Sequence, residues 1–76
     1  MIERRHLRDG RQRVDLTGVR IHGMLVAISL IELATRRWSW AWTSPTPWGY
    51  RSGTGSALSE SDARAAAIES ARAALQ

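Results

Sequence analysis

A chain of 76 residues can build one small core, and with no cysteine it does so without a disulfide or a thiolate metal site. Eleven arginines against seven acids leave a formal charge of +4, and lysine is absent, so every cationic side chain is a planar guanidinium fork suited to phosphate or carboxylate. The apolar run MLVAISLI, residues 24–31, falls far short of the about 20 residues a membrane span needs, and no secretory leader is legible, so a cytoplasmic protein without membrane contact is expected.

The start of the chain, residues 1–12, is charged and lacks an apolar period. It reads as a flexible basic arm ahead of one small domain over residues 13–76. Arg4, Arg5, Arg8, Arg11 and Arg13 concentrate positive charge there and are the candidate nucleic-acid contacts. In RVDLTGVRI, Val14 and Leu16 alternate, then Val19 and Ile21, which suggests an extra N-terminal strand bent at Gly18.

MLVAISLIEL fits two structures. Val26, Ile28 and Ile31 are β-branched and favour a strand over about 25–33. The Leu, Met, Ala and Glu content, and the lack of turn residues in ATRR, favour a helix. The strand is the working assignment, because a lone hairpin needs a third strand.

In RWSWAWT the tryptophans at 38, 40 and 42 alternate with Ser39, Ala41 and Thr43, the period of a strand with one indole face. SPTP, residues 44–47, reads as the turn that ends it, and WGYRS as a returning strand. GTGS, residues 53–56, reads as a flexible link into a helix from about Glu60 to Leu75, capped by Ser59. Ala67, Ile68, Ala71, Ala74 and Leu75 share a stripe of that helix, mostly small side chains that need bulk opposite them. The expected architecture is α+β: an antiparallel three-stranded sheet, with room for the extra N-terminal strand, and one C-terminal Ala-rich helix on one face, in the order β-β-β-α. The three indoles then form the large half of the core.

No constellation supports catalysis, a metal or a cofactor. His6 and His22 stand apart, with no poised nucleophile, and a zinc site needs about four ligands. A non-enzymatic binding protein is therefore expected. Arginine and tryptophan dominate interface hot spots, so Arg36, Arg37, Trp48, Tyr50 and Arg51 are the candidate partner-binding residues. A protein or nucleoprotein partner ranks first, direct nucleic-acid binding second, and a structural homodimer third.

Residues 53–75, GTGSALSESDARAAAIESARAAL, resemble the end of a double-stranded RNA-binding domain, where a glycine-containing turn precedes an alanine-rich helix. The resemblance implies phosphate contacts at the helix start. The matching residues are Glu60, Ser61 and Asp62, with Arg64 the one cation, and two acids there repel phosphate. In size and character the whole chain is similar to the small accessory proteins of phages and prophages, including anti-CRISPR proteins. That resemblance implies an inhibitor of a host protein or nucleoprotein complex.

Overall fold

In the computed structural model, which describes residues 1–76, the chain is a five-stranded antiparallel meander with one helix laid on it. The strands β1 (Ile2–His6), β2 (Gln12–Ile21), β3 (Met24–Glu32), β4 (Trp38–Thr46) and β5 (Gly49–Ala57) pair in sequence order, and α1 (Glu60–Ala74) follows. The α+β class, the antiparallel sheet and the C-terminal helix agree with the sequence reading. The strand count does not: there are five, not three or four.

Residues 24–32 are a strand, as the β-branched residues argued. β2 spans both halves of RVDLTGVRI, and its register against β3 shifts between Leu16 and Val19. Gly18, at φ 75°, sits in that shift and makes the bulge that the expected bend requires. The expected basic arm, residues 1–12, contains β1, whose Arg4 pairs opposite Val14. All five β1 residues are exposed, so no buried face marked the segment as a strand.

Two further corrections lie in the second hairpin. Ser44, Pro45 and Thr46 continue β4 instead of ending it, and the turn is Pro47–Trp48. Where the β3 ladder stops at Thr43, the buried Ser44 hydroxyl donates to the Leu25 carbonyl at 2.7 Å and closes the gap. GTGS is not a link. Gly53 and Gly55 lie within β5, directly opposite Trp42 and Trp40. A methyl group at Gly53 would stand 2.4 Å from Trp42 Nε1, and one at Gly55 2.4 Å from Trp40 Cζ2. The glycines are the floor on which the two indole rings lie.

The helix covers the tryptophan face, as expected. Ala63, Ala67 and Ala71 are fully buried and let α1 approach closely, while Trp38 and Trp42 fill the space with Val14, Leu16, Val26, Ile28 and Leu30. Trp40 is half-buried against this core. Trp42 Nε1 donates to the Ser70 hydroxyl of α1 at 2.9 Å, whereas the buried Trp40 Nε1 has no partner. Ser59 caps the helix by accepting from the Asp62 N–H at 3.1 Å.

Candidate functional site

Each strand reverses direction, so the loops gather at two ends of the sheet. One end holds the β1–β2 turn, the β3–β4 turn and the start of α1. The other holds the β2–β3 turn, the β4–β5 turn and the end of α1. The five candidate partner-binding residues divide between them. Arg36 and Arg37 lie in the β3–β4 turn, beside Trp38 and Ala57, and Arg37 donates to the Ser56 hydroxyl at 3.4 Å. Trp48, Tyr50 and Arg51 lie at the hairpin tip, where Thr46 pairs with Gly49. From Trp38 to Thr46 is eight residues of strand, about 27 Å at the usual rise. A single chain therefore does not bring the five into one patch.

The tip is the more distinctive end. Trp48 is 91% exposed and Tyr50 81%, values that rule out a core role for either. Thr46 fixes the turn: its hydroxyl accepts from the Trp48 N–H at 3.3 Å and donates to the Gly49 carbonyl. Gly49, at φ 119°, takes a backbone conformation a side chain would resist. The aromatic rings are thus presented by a turn held from within, not by a loose loop.

A shallow groove lies on each side of the tip. On the open face of the sheet, a groove of about 330 Å³ runs between Leu25, Ala27, Thr43, Pro45 and Tyr50. On the helix side, a smaller one of about 140 Å³ is lined by Met24, Trp48, Arg51 and Leu75. Exposed Met1 and Leu25 add apolar surface at this end. The Met1 ammonium donates to the Thr17 carbonyl at 2.7 Å beside the bulge. Of the large apolar residues left exposed, only Leu58 lies at the opposite end. Arg20 and Arg51, at the tip end, take part in no ion pair, whereas Arg72 in the last turn of α1 pairs with Glu69.

The arginines proposed for nucleic acid are disposed differently. Arg4 grips both Glu60 carboxylate oxygens, at 2.9 and 2.8 Å, and so ties β1 to the start of α1. Arg5 and Arg13 both reach Asp15, and Arg11 reaches Asp9. Arg8 alone of the five makes no ion pair or side-chain hydrogen bond. These contacts move the acids as expected of charge-assisted pairs. The Arg4 hydrogen bond holds Glu60 below its ordinary range, and the charges of Arg4 and Arg64 add to it despite some burial. Burial pushes Asp15 upward, but hydrogen bonds from Arg13 and Ser29, with the charges of Arg13 and Arg5, outweigh it and leave the carboxyl lowered. The carboxylates serve as internal partners for arginine. None gathers with other acids or histidines into a metal-binding group.

His22 stands in the β2–β3 turn. With Gly23 it forms a two-residue connection in which both have positive φ, 51° and 79°. His6 ends β1, opposite Gln12. Sequence reasoning named the tip aromatics but missed Arg20, Leu25 and the open-face groove. The alternation of β3 could have found Leu25, because it falls on the face opposite Val26. No helix is long and apolar enough to cross a membrane. Comparison of the chain with family models, with curated proteins and with solved structures gives no match.

Proposed function

We propose that the chain is a non-enzymatic binding protein that engages a protein, alone or within a nucleoprotein complex, through the β4–β5 hairpin tip. The observation that carries the reading is the near-complete exposure of Trp48 and Tyr50 on a turn held by its own hydrogen bonds. Large aromatic rings exposed this far leave apolar area uncovered, and a rigid turn lowers the entropy lost on docking. The grooves beside the rings would accept apolar side chains. Arg20 and Arg51, free of internal acids, would pair with carboxylates of the partner. A partner with an acidic, apolar-centred surface fits this chemistry. Inhibition of a host complex, the role of the small phage proteins the chain resembles in size, is one form such binding would take. Direct nucleic-acid binding ranks below it, since four of the five N-terminal arginines already have acidic partners.

Photo-crosslinking in native lysate tests the reading, with the reactive residue placed at 48 in one protein and at 36 in another. A discrete protein adduct is expected from position 48, and it should disappear with Tyr50→Ala and Arg51→Glu together while circular dichroism stays unchanged. Adducts from position 36 alone, or adducts indifferent to the tip substitutions, would exclude the tip as the binding surface.

A further inference from the structure

We propose that two copies of this chain associate through their β5 edges, in antiparallel register centred on Gly53, to form a continuous ten-stranded sheet with both helices on the same side. The inference holds whatever the tip binds. It begins with a difference between the two edges of the sheet. β1 is five residues long and carries Glu3, Arg4 and Arg5, the charged, short form by which an edge resists pairing. β5 is nine residues long, pairs only with β4, and has a single charge, Arg51. It has no proline, no bulge against β4 and no second charged residue, so a row of main-chain donors and acceptors about 30 Å long stands open.

The self-pairing register is chemically consistent. Centring on Gly53 places Arg51 opposite the second copy's Gly55, so no like charges meet. Ser52 falls opposite Thr54, and Tyr50 opposite Ser56. Ser56 is the residue to which Arg37 donates, on the same open face as Tyr50. The guanidinium of one copy is thereby brought beside the exposed phenol ring of the other, a cation–π arrangement unavailable within one chain. The adjoining flank of α1 adds to the contact. Ser70 Oγ lies 2.9 Å from the position of a methyl on Gly53, so this side of the helix overhangs β5. The contact is a main-chain ladder along an edge about 30 Å long, widened by the flank of α1 that lies above it.

The association also explains the division of the sequence-predicted patch. Arg36 and Arg37 of one copy come to lie beside the hairpin tip of the other, so the dimer holds two composite surfaces where the single chain holds two halves.

Sedimentation velocity from about 1 to 100 µM tests the proposal. The wild-type chain should reach the mass of two copies within that range. The double substitution Ser52→Glu with Thr54→Glu sets glutamates directly opposite glutamates and should weaken association at least about tenfold, with unchanged circular dichroism. Ser52→Arg with Thr54→Arg should do the same, and mixing the two variants should restore a dimer containing one of each. A wild-type chain that stays single at 100 µM would overturn the proposal. A dimer that survives both substitutions, which would point to the open face, would overturn it equally, as would two variants that fail to combine.

Discussion

At the residue scale, the two indole–glycine pairs decide how the core closes. Trp42 lies over Gly53 and reaches Ser70, and Trp40 lies over Gly55. Any side chain at Gly53 meets a ring already locked by the helix above it. Gly53→Ala should therefore cost about 1–3 kcal/mol, the usual range for overpacking a filled site. The cost should shrink when Trp42 is also alanine, because the nearest obstacle, the ring nitrogen at 2.4 Å, is then gone and only the Ser70 hydroxyl at 2.9 Å remains; a double-mutant cycle read by urea melts measures this coupling. Equal cost in both backgrounds would assign the effect to the strand backbone. Trp42→Ala alone should cost about 3–5 kcal/mol, as large aromatic truncations in cores do. Trp40→Ala should cost less, because Trp40 is only half-buried and its Nε1 has no partner to lose. A larger loss at Trp40 would reverse the assignment of the two rings.

At the element scale, close packing of α1 and the ties of β1 matter most. Ala71 is fully buried against the sheet, so Ala71→Leu should cost about 1–3 kcal/mol, while exposed Ala65→Leu should leave the denaturation midpoint nearly unchanged. β1 is held by Arg4 on Glu60 and by Arg5 on Asp15. Both acids have lowered folded-state pKa values, so near pH 4 the unfolded chain binds more protons than the folded one. Their contribution is complete above the ordinary carboxylate pKa of about 4 and is lost as pH falls through the folded values. Melting temperatures from pH 7 to about 3 should fall steeply at the acid end, and Glu60→Gln with Asp15→Asn should flatten that fall. The legibility of these elements in the sequence follows the same physics. Trp38, Trp40 and Trp42 announce a strand by period two, and Ser59 announces a helix start. β1 has no buried face and so no period to read. The first half of β5 is legible in WGYRS, but GTGS reads as a link because glycine disfavours strands in isolation; Gly53 and Gly55 acquire their role only from the rings across the ladder. The tip was legible from aromatic content. The separation of Arg36 and Arg37 from it was not, since SPTP reads as a turn while Ser44, Pro45 and Thr46 in fact lengthen β4 and carry the tip away from the β3–β4 turn.

At the scale of the whole molecule, most arginines around β1 are matched by acids, and the cations in no ion pair, Arg8, Arg20, Arg36, Arg37 and Arg51, stand towards the two ends of the sheet. Binding to duplex DNA or RNA should accordingly be weak, indifferent to sequence, and largely gone near about 0.15 M salt; fluorescence anisotropy over a salt series measures it. Submicromolar, sequence-selective binding at that salt would instead make nucleic acid the primary partner. The order of the elements has a consequence for synthesis. Each strand pairs with the next, so the sheet can assemble as it emerges from the ribosome, while the cover for its indole face, α1, is made only after all five strands. Until α1 follows, the nascent chain carries an adhesive surface of tryptophan and branched aliphatic side chains. Any stop or cleavage before Glu60 leaves that surface permanently bare, and such fragments should enter aggregates or be captured by chaperones instead of persisting as shortened folded domains.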